Sequence, residues 1–181
     1  MFAKLGTYVY MMMFVLVGAY IVARWRDHRE SKSDPQLGIK VAICAFRVFI
    51  FQVALLSLGA IIYSWVSTQS EEVTEWVFRR GAGALAPAVL VLGLYEFVLR
   101  RTNFRERPMV SHMFDGLNFV QSALIATASA FYVGHLIFEP GASADQDRLA
   151  TVFIIIYSVT AAVQGWGLLR QDASAQLPRD P

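Results

Sequence analysis

Arg47, Glu96, Asp115, Asn118, Gln121 and Gln164 are six candidate polar residues within otherwise apolar stretches. A charge within a bilayer core costs about 2.5–3.5 kcal/mol on insertion scales, so such side chains are expected to face protein or water. Arg47 and Glu96 form the expected charge pair, with the other four as hydrogen-bonding neighbours. Two chemistries fit this set. One is an ion or proton path, or a small-ligand site. The other is structural: Arg47 reaches lipid head groups, Glu96 pairs with Arg100 one turn along its helix, and the amides hold helices together. Nothing in the spacing selects an ion.

Histidine offers less. A membrane cytochrome needs two histidines facing each other from different helices at matched depth. His112 and His135 lie at opposite ends of one stretch, roughly 34 Å apart as helix, and His28 lies in a connector. No pair matches, so a bis-histidine haem held by this chain alone is not expected. His112 or His135 remains a candidate contact for haem, quinone or pigment shared with another subunit, and the residues name no cofactor. No HExxH, acidic metal cluster, GxSxG or glycine-rich phosphate loop occurs. The lone Cys44 excludes an internal disulfide and reads as a small buried hydrophobe. No basic patch interleaves with aromatics, which argues against nucleic acid.

The elements that must position these residues follow from composition. The 181 residues are 56% hydrophobic and 17% charged, and the apolar ones come in blocks of about 18 or more. That length matches a hydrocarbon core of roughly 30 Å. Five spans are expected, at about 5–23, 39–66, 82–99, 113–138 and 149–169, with connectors of about a dozen residues. The fold class is thus an all-α membrane bundle over residues 1–170, followed by a flexible tail at 171–181. Only Lys4 precedes the first block, its apolar run is long, and Arg24, Arg26 and Arg29 follow it, so it reads as a retained anchor and not a secretory signal.

Orientation follows from lysine and arginine. The connectors at 24–40 and 100–112 hold five and four, and Arg170 and Arg179 bring that side to eleven. Lys4, Arg79, Arg80 and Arg148 make four on the other. The positive-inside rule then places the N-terminus outside and the C-terminus in the cytoplasm. Tyr8, Trp65, Trp76, Trp25 and Trp166 fit the interfacial belts. Counting up from the inner boundary, Arg47, Glu96, Asn118, Gln121 and Gln164 fall about 5–12 Å deep, in one slab.

The stretch from Ser111 to Phe138 carries more polar residues than any other span. Ser122, Ala126, Ala130 and Gly134 recur every four residues and form a small-residue ridge. Ala161 and Gly165 repeat that spacing in the last span. Close helix packing is the expected use of Gly81, Gly83, Gly93, Gly165 and Gly167. Pro35 and Gly38 predict a turn before the second span, Pro87 a tolerated kink, and Pro108 a stop after the third span. The segment at 67–83 reads either as a short amphipathic helix on the membrane surface or as an outward extension of the third span. Val73, Trp76 and Val77 share its apolar face, and Glu71, Glu72 and Glu75 crowd its start.

The functional expectation is a non-catalytic accessory or structural subunit of a larger complex in a bacterial inner membrane. Its partners would be the bilayer and other membrane subunits or further copies of itself. The alternatives are an oligomeric ion channel or small-solute transporter using the inner-leaflet polar residues, and a redox subunit contacting haem, quinone or pigment. Five spans with the N-terminus outside resemble the layout of haem-bearing subunits of respiratory reductases. Without paired histidines the likeness is one of topology alone.

Overall fold

The computed structural model describes residues 17–22, 24–25, 28, 34–105, 107–138 and 144–176. Among them every regular element is α-helix and no strand occurs. A helical stretch at residues 17–22 (α1) is followed by α2 (Leu37–Val66), α3 (Glu71–Arg101), α4 (Arg107–Phe138) and α5 (Ala144–Gln176). Among the described residues four helices are long and apolar enough to cross a membrane: Leu37–Val66, Glu71–Arg101, Arg107–Ile137 and Asp145–Arg170. The expected first span is seen only over 17–22. Its remainder, with Lys4 and Tyr8, lies outside the described residues, as does Arg179.

Helix ends follow local chemistry. Asp34 caps α2, its Oδ1 accepting the Gln36 N–H at 2.9 Å and its carbonyl the Leu37 N–H at 3.2 Å. The turn is therefore made by Pro35 and Gln36, and Gly38 is already helical. The segment from Glu71 is not a separate surface helix. It continues without a break into α3, so the extension reading holds and the surface-helix reading falls. Glu71 and Glu72 in the first turn favour that start through the helix dipole. Pro87 lies inside α3 without ending it. After Arg101 the chain turns. Thr102 donates its N–H and hydroxyl to the Leu99 carbonyl at 3.2 and 2.7 Å, and Pro108 occupies the first turn of α4. The last helix runs on to Gln176, six residues past Arg170.

Two compact units separate, Met1–Ile50 with Val91–Phe114, and Phe51–Leu90 with Asp115–Pro181. In the first, Leu37, Val41, Cys44 and Val48 make a stripe at helical spacing, packed with Leu99, Val110 and Phe114. Ala19 of α1 packs against this cluster. Cys44 is fully buried in it, as a small hydrophobe would be. In the second, Leu55, Val152, Ile156 and Tyr157 form the core, with Phe51, Ile62, Ile125 and Phe153 around them.

Glycines bring helices of the second unit close. A Cβ on Gly81 would stand 3.0 Å from the Ser57 carbonyl oxygen. Those on Gly59 and Gly165 would meet the Phe153 and Phe119 rings at 2.9 and 3.0 Å. Gly83, Gly93, Gly116, Gly134 and Gly167 differ. Among the described residues nothing stands within 4 Å of where their Cβ atoms would be.

Candidate functional site

In the first unit Arg47 on α2 and Glu96 on α3 do meet, at 3.8 Å. Arg47 also donates from Nη2 to the Ser111 hydroxyl at 3.3 Å. Glu96 has a shorter tie at 3.0 Å to Arg100 Nε, four residues along its own helix. The Glu96 side chain is 42% exposed and that of Arg47 22%. The geometry thus joins the two alternatives: one carboxylate serves both the cross-helix arginine and its own helical neighbour.

A second polar centre in this unit lies on Lys40. Its side chain and that of Asp34 have no exposure at all. An ammonium has three N–H donors. Lys40 directs them to Asp34 Oδ2, Asn103 Oδ1 and the Arg105 carbonyl. Asn103 returns its amide Nδ2 to Asp34 Oδ1 at 3.3 Å and its backbone N–H to Gln36 Oε1 at 2.6 Å. The start of α2 and the turn between α3 and α4 are clasped together. Burial works to raise the Asp34 carboxyl. The Lys40 ammonium, the Gln36 N–H and the Asn103 amide outweigh it and hold the carboxyl below its usual range. The sequence reading missed this centre by counting Lys40 among solvent-side charges. Its available signal was Asp34-Pro35, a helix-capping acid on the turn that leads to Lys40.

In the second unit Asn118 is buried and accepts Gln52 Nε2 at 2.5 Å, and the same nitrogen reaches the fully buried Ser122 hydroxyl at 3.4 Å. Gln52, absent from the six expected residues, is thus the partner of one of them. Its signal was a carboxamide in the middle of an apolar run. Gln52 Oε1, Tyr157 Oη and Gln164 Oε1 are buried without a hydrogen-bond partner among the described residues. Gln121 is exposed and Asp115 half-buried. The ridge is divided: Ser122 is buried, Ala126 borders the core, Ala130 is exposed and Gly134 is half-buried. Ala161 is buried and Gly165 half-buried against Phe119.

A surface clasp complements this core. Asp145, in the first turn of α5, accepts the Thr68 N–H at 2.9 Å, the Ser67 hydroxyl at 3.1 Å and Gln69 Nε2 at 2.7 Å. Arg148 donates to the Val66 carbonyl, the end of α2, at 2.9 Å.

His112 and His135 both lie on α4, half-buried and exposed respectively. Among the described residues no group of three or more His, Cys, Asp or Glu is arranged to hold a metal ion. What the polar centres can do is orient and bind. Some hydroxyls within the helices are satisfied by their own backbone: Ser57 donates to the Val53 carbonyl at 2.7 Å and Thr160 to that of Ile156 at 2.8 Å. No protein family, curated protein or solved structure matches the chain.

Proposed function

We propose that this chain is a multi-pass inner-membrane protein, with its N-terminus outside and C-terminus in the cytoplasm, that serves as a non-catalytic subunit of a larger membrane assembly. One observation carries the reading. Gly83 and Gly93 are exposed on the span-length helix α3, and among the described residues nothing stands within 4 Å of where their Cβ atoms would be; the same space is open at the half-buried Gly134 of α4 and Gly167 of α5. Glycine weakens a helix by about 1 kcal/mol relative to alanine. Where no neighbour within the chain needs the space, a partner helix is the physical reason to keep it.

The test uses that openness. Gly83→Leu and Gly93→Leu should leave the isolated chain at least as stable as the wild type, because both positions are exposed with space for the added side chain. Each should reduce co-purification of stoichiometric partners in mild detergent. A wild-type chain that extracts alone and monodisperse would overturn the reading. A second reading, an oligomeric channel or carrier, draws support from the half-exposed Arg47–Glu96 pair. It requires that Glu96→Gln alter a flux measured in liposomes.

A further inference from the structure

We infer that the turn between α3 and α4 is a binding site for the phosphate of an anionic phospholipid, built from Arg101, Arg105 and Arg107 with Phe97 and Phe104. The inference rests on the spanning character of α3 and α4 and is independent of the subunit reading.

Four arginines fall within eight residues, Arg100 to Arg107, with Phe104 among them, contrary to the reading that no basic stretch here interleaves with aromatics, against Glu106 and a Glu96 already engaged by Arg100. Arg100, Arg101 and Arg105 are exposed and Arg107 is half-buried. Two of the guanidinium groups are stacked on rings: Arg101 over Phe97 at 4.8 Å and Arg107 over Phe104 at 5.1 Å. These rings are themselves bare, Phe104 at 70% and Phe97 at 55% exposure. Arg–aromatic pairs of this kind suit a head-group layer, where the ring enters the glycerol and upper acyl region and the guanidinium meets phosphate. A soluble anion would recruit the arginines and leave both phenyl rings in water. An acidic peptide would engage the charge without needing rings at the base of span-length helices.

The turn is also held in shape beforehand. Lys40 grips both the Asn103 side chain and the Arg105 carbonyl, and the Asn103 N–H is fixed by Gln36. Arg105 gives its carbonyl to the clasp, so substitution of its side chain leaves that contact available. Arg107 spans the turn, donating from Nη1 to the Leu99 carbonyl at 3.3 Å. A turn tied at Asn103 and Arg105 has less entropy to forfeit on binding than a flexible basic tail.

The experiment uses the full chain in nonionic detergent, with mixed micelles of phosphatidylglycerol or phosphatidylcholine, read by thermal unfolding and by lipid retention in native mass spectrometry. Phosphatidylglycerol should raise the unfolding temperature and be retained, and phosphatidylcholine should do neither. Each arginine replaced, as Arg101→Gln or Arg105→Gln, should weaken apparent affinity roughly fivefold. Phe104→Ser should shorten retention with all four arginines still in place. Far-ultraviolet circular dichroism of each variant checks that its helices remain. Equal stabilisation by both lipids, or a full shift in the double arginine variant, would overturn the site. So would an equal shift from inorganic phosphate or an acidic peptide without lipid. Partner co-purification is a separate readout, so failure here leaves the subunit reading standing.

Discussion

Lys40 in the first unit and Asp145 in the second each use one charged side chain to tie a turn to a helix, and they do so at opposite extremes of burial. Lys40 is at zero exposure, opposite a carboxylate also at zero, with every N–H donor engaged. Asp145 collects neutral hydroxyl, amide and backbone donors at the surface. Water can replace any partner that Asp145 loses. Lys40 and Asp34 are closed off from solvent, so a partner lost there is not replaced in the same way. A hydrogen bond therefore carries different weight in the two clasps: removing one partner of a buried pair leaves an uncompensated charge, whereas a surface contact is worth little.

The sharpest way to break that contrast is Lys40→Ala, which leaves the Asp34 carboxylate buried without its cation. Destabilisation of about 3–5 kcal/mol is expected, read by unfolding in detergent. The combined Lys40→Met and Asp34→Leu chain should recover much of the loss, because the desolvation penalty leaves with the pair. If Lys40→Ala unfolds where the wild type does, the clasp is not what holds the first unit. A second test sets two glycines of one helix against each other. Gly81→Ala must push against the Ser57 carbonyl, a backbone atom that cannot swing away, and should cost about 1–3 kcal/mol. Gly83→Ala meets nothing and should stabilise by up to about 1 kcal/mol.

That glycine pair also marks what the sequence could show. Hydropathy exposed the four long helices, since blocks of apolar residues admit little else at that length. Helix ends were harder. The acids at Glu71 and Glu72 read equally well as a surface helix, and only the unbroken backbone decides for extension. Spacing shows that Gly81, Gly83 and Gly93 share a helix and not which of them a neighbour approaches, because that depends on where α2 passes. Lys40 was hidden for a similar reason. Its partners Asn103 and Arg105 lie 63 and 65 residues away, and its six-residue step from Asp34 matches no helical pairing. Gln52 was overlooked inside an apolar run, yet it supplies the partner of Asn118.

A third prediction is read in acid. The Asp34 carboxyl is held below its ordinary value near 3.8. Its contribution is therefore complete above the unfolded-state value of about 3.9 and is lost as pH falls through the lower folded value. Asp34→Asn should weaken the protein at neutral pH. The gap to the wild type should close below about pH 4, where the wild type sheds the same contribution. A gap that stays constant between pH 7 and pH 3 would show that Lys40 and Asp34 do not interact as ions.

Asp145→Ala should give the smallest effect, and smallness is its content. The variant removes acceptors for Ser67, Thr68 and Gln69 at once, yet all three donors lie where water reaches. Arg148 still bonds the Val66 carbonyl, so the end of α2 keeps one tie. The expected result is a slight fall in unfolding temperature, well short of that for Lys40→Ala. It should be accompanied by faster amide hydrogen exchange at Thr68, whose N–H loses its carboxylate. High salt should shrink the difference between Asp145→Ala and the wild type, because exposed charge is screened within about 10 Å at 0.1 M. The Lys40→Ala loss, behind protein, should stay nearly constant across the same salt range. A loss for Asp145→Ala as large as that for Lys40→Ala would mean that burial is not what separates the two clasps.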